Sequence, residues 1–459
     1  MSNISIVYAS SVAKLDSNVR TGGGTDDTAA LQAVLDRANT EGGIHLIMDG
    51  AALISQLVVY SNTTIECLNQ DCGFFQIEQS NCAMITNAHW DRHAIRDRNI
   101  TLKGGTYNQD CLRQKHDVPF DYSGAFDIRA EDFGDTHWIY AVEFYGVENV
   151  LLQDLLILDF RTFCITIGNF RRVTLERVWV DLPNRMQAQN QDGFHFWGPG
   201  QFLTIRDCGG KVGDDFMNIG PDEADSVSSI TDVLVDGIFL DDADQAIRIL
   251  SRGTGLLDRC TIRNVQGSYR SFGFYINSWF PDVTAGNFGD IFIENVNLTH
   301  TAPNYDYRPP MLFSVGGDIR CLTLKNIRHE YPIDKRAIAE FGFPFYATTP
   351  LTIDNYVYPA GKPPVIKNLI IDGMTVLENA DSEGMEQLQF FGEVGNLILK
   401  NVVSVKDDGV ARSGNVMKVY PTGHIKTAIV SDVFSVGATK VIDGDEHIDQ
   451  LITKDIIAQ

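Results

Sequence analysis

One short pattern recurs along the chain: an apolar residue, one variable position, a second apolar residue, two polar or small residues, then a third apolar one. It reads NVLLQDLLI from 149, RVTLERVWV from 172, FLTIRDC from 202, DVLVDGIFL from 232, RCTIRNV from 259 and DIFIENVNL from 290. Later copies are CLTLKNI from 321, NLIIDGMTV from 368, NLILKNVVSV from 396 and TAIVSDVFSV from 427, and an early one, NITLKGGTY, starts at 99. The first apolar residues of the copies from 149 on, Val150, Val173, Leu203, Val233, Cys260, Ile291, Leu322, Leu369, Leu397 and Ala428, serve as markers. They lie 23 to 31 residues apart, with one interval of 47. Each copy alternates with period 2, is rich in Val, Ile and Leu, and is bounded by Gly, Asn and Asp, which describes short strands joined by turns. Strands of a two-sheet sandwich do not repeat one consensus at a fixed coil length. Stacked coils do, because each coil buries its apolar face only against its neighbours. The pattern predicts an all-β fold, a single-domain right-handed parallel β-helix over 21–459 after an N-terminal segment of 1–20.

Helical periodicity is confined to TDDTAALQAVLDRAN, 25–39, where Ala30, Leu31, Val34, Leu35 and Ala38 form a stripe and Asp26 or Asp27 can cap the start. This helix is expected to close one open end of the stack, whose bare edge would otherwise pair with another chain.

A second strand precedes each marker: AVEFYG from 141, CITIGN from 164, GFHFWG from 193, FMNIG from 216, AIRIL from 246 and GFYINSW from 273. The alternation turns Phe194 and Phe196, Met217 and Ile219, Ile247 and Ile249, and Phe274 and Ile276 inward. One outward sheet then displays Glu143, Thr166, His195, Trp197, Asn218, Arg248, Leu250, Tyr275 and Asn277. At the entrances of two of these strands stand NQDG, with Asp192, and GDD, with Asp214 and Asp215. The 22 residues between Asp192 and Asp214 are one coil, so the segments stack and the carboxylates converge. Carboxylates that close repel, which raises the pKa of at least one and separates acid from base roles. Other Asp-Gly pairs, Asp236-Gly237 and Asp372-Gly373, read as turns.

Composition narrows the function. A chain of 459 residues, 44% hydrophobic and 21% charged, has the balance of a globular protein with a large core. Its net charge of -23 and the lack of any basic run argue against nucleic acid. The first residues show no basic stretch leading into an apolar run, and no apolar stretch reaches 18 residues. The expectation is a soluble protein, cytoplasmic or secreted by a route not visible here, with no membrane partner. Its eight cysteines form no CxxC pair, and no zinc-like His spacing accompanies them. Cys208 and Cys260 take apolar positions of the repeat and read as buried free thiols.

The stretch GGGTDDTAALQAVLDRANTEGGIHLIMDGAALISQLVVYSNTTIEC resembles the opening of pectin-lyase-like β-helix proteins. NQDGFHF, VGDDFMNI and IRIL resemble the NTDG, GDD and RIK motifs of family 28 glycoside hydrolases, the polygalacturonases. That resemblance implies metal-free, cofactor-free hydrolysis of an oligo- or polysaccharide with inversion. Asp214 would be the general acid, and Asp192 and Asp215 would activate water. Asn190 and Gln191 would flank the site, and Arg248 would bind substrate. His195, Trp197, Asn218, Tyr275 and Asn277 complete the expected substrate-binding set. The family's Gly-His-Gly has no counterpart, since 220–245 holds no histidine, and Leu250 stands where the Lys of RIK would be. His195 is the candidate replacement for the histidine, and the lost cation points away from polygalacturonate toward a neutral or differently shaped sugar. Trp279, NYDYRPP from 304 and FPDVTAGNF from 280 read as sugar platform and cleft walls. A lyase, epimerase or intramolecular transglycosylase on this scaffold, or a carbohydrate-binding spike-like protein, are the other classes the residues allow.

Overall fold

The computed structural model describes residues 4–114, 139–184, 190–251, 253–278, 286–301, 310–331, 337–342, 351–353, 356–358, 364–378, 386–410 and 413–459. The fold is all-β, a right-handed parallel β-helix, and the chain divides into two compact units, Met1–Asn218 and Ile219–Gln459. No described helix is long and apolar enough to cross a membrane.

In the first unit, the strands Val142–Gln153, Ile165–Glu176 and Phe194–Lys211 pair in parallel. Val142, Ile165 and Phe194 stand in one row, as do Phe144, Ile167 and Phe196; Val150, Val173 and Leu203; and Leu152, Leu175 and Ile205. All twelve are buried. Coil stacking therefore turns one amphipathic pattern into continuous apolar ladders, which is where the core comes from.

Each long strand bends twice, and the bends explain the polar positions of the repeat. Asn149, Arg172 and Phe202, just before the markers, have φ of 58°, 55° and 62°. Asp154, Arg177 and Asp207, four residues after the markers, have φ of 58°, 51° and 50°. This left-handed region disfavours most L-residues, and Asn and Asp tolerate it because a short polar side chain bonds locally. Here the corner side chains also bond along the stack. Asn99 Nδ2 donates to Asn62 Oδ1 (2.8 Å), Asn149 Nδ2 to Asn99 Oδ1 (3.1 Å) and Arg172 Nε to Asn149 Oδ1 (2.6 Å).

The second unit repeats the scheme. Val233, Cys260, Ile291, Leu322, Leu369, Leu397 and Ala428 stand in register as one buried row. Burial there pushes the Cys260 thiol up to about 12; Cys208 is likewise a buried free thiol in the first unit. The fourth position after the markers is left-handed at Gly237, Asn264, Asn295, Asn326, Gly373, Asn401 and Asp432. Gly237 and Gly373 thus hold the corner that Asn and Asp hold elsewhere. Asn264 Nδ2 donates to Asp236 Oδ1 (2.6 Å), Asn295 Nδ2 to Asn264 Oδ1 (3.0 Å) and Asn326 Nδ2 to Asn295 Oδ1 (2.7 Å).

The expected helix 25–39 is two pieces, Thr28–Leu35 and Ala38–Glu41, the second ended by left-handed Gly42 at φ 86°. Leu31, Val34, Leu35 and Ala38 are buried. Asp26 Oδ1 accepts the Thr28 N–H (2.9 Å), whereas Asp27 turns back to accept Lys14 and Leu15 N–H (2.8 and 2.9 Å). Gln32 acts as a surrogate strand: its Nε2 donates to Val58 O (3.0 Å) and its Oε1 accepts Val58 N–H (2.8 Å). Part of the edge is thereby satisfied. The segment before residue 20 also joins the sheet, through Ser5–Tyr8 paired with Ile44–Met48.

Asn295 gives a test of the corner. Asn295→Ala keeps a Cβ in the left-handed region and removes two stack bonds, a loss of about 2 kcal/mol. Asn295→Gly removes the same bonds without the backbone strain. Chemical denaturation should rank Asn above Gly above Ala; Ala at or above Gly would contradict this account of the repeat.

Candidate active site

Backbone hydrogen bonds bring the two acidic segments side by side. Gly213 and Asp214 N–H donate to Gln191 O (3.1 and 3.2 Å), and Gly193 N–H donates to Asp215 O (2.8 Å). On the other side, Cys164 N–H donates to Asp192 O (2.7 Å) and Ile165 N–H to Gly193 O (2.9 Å). Gly193 is required in this sandwich, because a Cβ there would lie 2.5 Å from Phe216 O. As the one-coil spacing implies, oxygens of Asp192, Asp214 and Asp215 lie within 4.8 Å of one another.

The three carboxylates differ in surroundings. Asp192 and Asp215 are buried, and Asp214 is partly exposed. Asp214 Oδ2 accepts the backbone N–H of Asn190 (2.7 Å), and Asn190 itself is left-handed at φ 62°. Asp192 Oδ2 is bonded to His195 Nδ1 (3.0 Å). With Nδ1–H donating, the imidazole holds Asp192 in one orientation. Close to them in sequence, Asn190 Oδ1, Gln191 Oε1 and Asn218 Oδ1 are buried acceptors with no hydrogen-bond partner among the described residues, and Gln191 Nε2 donates to Phe160 O (3.2 Å).

The outward face is not the open display that alternation predicted. His195 is 1% exposed and Trp197 5%. Phe163 stacks on His195 with centroids 4.2 Å apart, and Tyr145 approaches Trp197 at 5.9 Å. Gly168 makes the room: it stands opposite Trp197 in register, and a Cβ there would lie 2.2 Å from Tyr145 Cε1. His195 therefore serves as the partner of Asp192, and Trp197 is a wall packed among aromatic rings instead of an open platform. Asn218 is buried at the end of the same unit.

Arg248, Tyr275 and Asn277 belong to the second unit, where Arg248 pairs in register with Tyr275 and Leu250 with Asn277. The Arg248 guanidinium lies over the Tyr275 ring at 5.5 Å, and that ring stacks on Phe272 at 4.6 Å. Tyr275 and Asn277 are buried. Trp279, most of NYDYRPP and most of FPDVTAGNF lie outside the described residues.

Sequence reasoning missed the aromatic neighbours Trp90, Tyr145 and Phe163, and underweighted Glu143. Glu143 stands in register with Thr166, which stands in register with His195. Burial pushes its carboxyl up to about 7, against a hydrogen bond from Trp90 and the nearby charge of Arg92. The available signals were Gly168, the small residue in an otherwise bulky strand, and a tryptophan in the loop AHWDRH.

No family model matches the chain. A polygalacturonase of Gossypium barbadense is 26% identical over 162 residues, which are 35% of this chain and 38% of that protein. The match thus spans well under half of that relative. Among solved structures, the family 28 exopolygalacturonase of Yersinia enterocolitica is similar with a TM-score of 0.53 at 14% identity, covering 92% of this chain and 79% of that one. A mutant tailspike protein of E. coli bacteriophage HK620, solved in complex with a hexasaccharide, gives 0.53 at 9% identity, covering 94% and 74%. At these identities the structural likeness speaks for the fold. The chain resembles polygalacturonases in sequence over about a third of its length, and it shares the parallel β-helix with a glycoside hydrolase of family 28 and with a phage tailspike.

The raised Glu143 carboxyl carries a stability prediction. Below its ordinary value of 4.5 both folded and unfolded states are protonated and nothing is lost. As pH rises, the unfolded state ionises first, so stability falls until the folded carboxyl ionises near 7. Glu143→Gln should be near neutral at pH 4 and gain about 2 kcal/mol at pH 8, after a discount for partial exposure. Denaturation of both proteins at the two pH values checks this; an equal difference at both would contradict it.

Proposed function

We propose that this protein is a glycoside hydrolase that cleaves an oligo- or polysaccharide by carboxylate acid/base catalysis. The observation that carries the reading is the convergence of Asp192, Asp214 and Asp215 within 4.8 Å, with Asp192 bonded to His195 and Asp214 to the Asn190 N–H. Asp214, the accessible carboxyl, protonates the leaving oxygen. Asp192, oriented by His195, and Asp215 activate the attacking water. The resemblance to polygalacturonase supports the reaction class, and Leu250 in place of a lysine supports a sugar other than plain polygalacturonate.

Stereochemistry sets two arguments against each other. Carboxyl groups of inverting enzymes stand about 6.5–9.5 Å apart and those of retaining enzymes about 5–5.5 Å, and here one oxygen of each carboxyl lies within 4.8 Å of the others, closer than the inverting range. The resemblance implies inversion. We hold to inversion because His195 holds Asp192 in one orientation as a base beside Asp215, in keeping with the resemblance.

The same oxygen cluster has the spacing to hold a divalent cation, a second reading that points to lyase-type chemistry. Chelator separates the two: turnover should survive it unchanged under the hydrolytic reading and be abolished and restored by calcium under the other.

Asp214→Asn should fold normally and lose turnover by at least about a hundredfold, the range for a missing general acid. Retention of most activity would remove Asp214 from that role. Proton NMR of the first-formed anomer should show inversion, and a retained anomer would overturn the assignment of both bases.

A further inference from the structure

The first unit carries a second row of chemistry beside the three aspartates. Thr86, Glu143, Thr166 and His195 stand in register on four successive strands. Glu143 therefore lies about 10 Å from His195, two coil spacings away, within the span of a short oligosaccharide whose other end reaches Asp192.

Thr166, midway between them, is 0% exposed, and its Oγ1 has no hydrogen-bond partner among the described residues. That hydroxyl is closed off from solvent, and of Glu143, Thr166 and His195 it is Glu143 that is partly exposed and within reach of a ligand. Alongside this polar row runs an apolar one, Tyr145, Gly168 and Trp197, in register on the same three strands as Glu143, Thr166 and His195. A few convergent polar groups set against an aromatic wall describe a small-molecule site.

The rim is built rather than loose. Asp91 accepts His93 and Ala94 N–H (2.8 and 3.0 Å), and Asp97 accepts His89 N–H and Asn87 Nδ2 (2.9 and 3.0 Å). Arg96 N–H donates to Gly146 O (2.7 Å). These bonds tie the loop between Asn87 and Asp97 to the strand that carries Glu143. They hold Trp90 against Tyr145, with centroids 4.5 Å apart, where its indole bonds Glu143. Arg92 is drawn over the Trp90 ring at 5.3 Å.

We propose that Glu143, with Trp90 and Arg92 at the rim, forms a saccharide subsite that takes an uncharged sugar residue and rejects a uronate. The subsite rests on the hydrolytic reading of the aspartates and deepens it. The Glu143 carboxyl exchanges hydrogen bonds with sugar hydroxyls. A uronate carboxylate placed in this row would face the Glu143 carboxyl, which already takes the nearby charge of Arg92.

The test is binding, so it does not depend on turnover. Asp214→Asn protein is titrated by calorimetry at pH 8 with tetrasaccharides of galacto, gluco and manno configuration, each as the uronate and as its carboxyl-reduced neutral counterpart. The neutral member of the preferred pair should bind at least tenfold more tightly than its uronate. Adding Glu143→Gln should bring the two within about threefold, a change of ratio that a merely structural residue would not cause. Tighter binding of the uronate, an unchanged ratio in the Glu143→Gln protein, or no binding in any pair would overturn the subsite. Binding as expected with no hydrolysis by the parent protein would instead sink the hydrolytic reading and leave the subsite standing.

Discussion

A residue held at positive φ four places after each apolar marker fixes the corner of each coil from Val150 on, and nearly everything else follows from that corner. In the first unit it is Asp154, Arg177 and Asp207; in the second it is Gly or Asn or Asp throughout. The backbone conformation costs most residues about 1–2 kcal/mol, and the chain meets that cost with residue types that tolerate it and with side-chain bonds along the stack. Once the corners repeat, successive strands fall into parallel register. Register in turn decides which side chains share a row, because a slip of one residue would exchange the faces of a strand.

That register is what makes chemistry possible from residues far apart in sequence. It places Phe144, Ile167 and Phe196 in the core, and on the opposite face Glu143, Thr166 and His195. It also lays the Gln191–Gly193 backbone against Gly213–Asp215, so that three carboxylates meet without any one strand carrying them. Each of two of these carboxyls has a specific partner, His195 on Asp192 and the Asn190 N–H on Asp214. A rigid scaffold of this kind keeps such a cluster in place where a flexible loop would let it spread.

The repeat, the direction of the core face and the meeting of the aspartates were legible in the sequence because each depends on periodicity alone. The corner conformation was visible only as two polar or small positions, since a φ angle leaves no more than a preference for Asn, Asp and Gly. The outward face was misjudged for a different reason. Alternation tells which way His195 and Trp197 point, but their burial depends on Phe163, Tyr145 and the space left by Gly168, which come from other coils. Glu143 could be placed on the face by alternation, while the burial that raises its carboxyl came only with the folded loop bearing Trp90. The helix over 25–39 was found from its stripe, yet the use of Gln32 to satisfy Val58 is a tertiary contact that no pattern announces.

The central claim is that the aspartate cluster adds water across a glycosidic bond, and the mass of the products tests it most directly. The parent protein would be incubated with a panel of oligosaccharides in water enriched in the heavy oxygen isotope and the products weighed by mass spectrometry. Hydrolysis predicts fragments whose masses sum to substrate plus one heavy water, with the label in the newly formed reducing-end fragment. Fragments that sum to the substrate alone, one of them unsaturated and absorbing in the ultraviolet, or binding with no fragment at all, would contradict it.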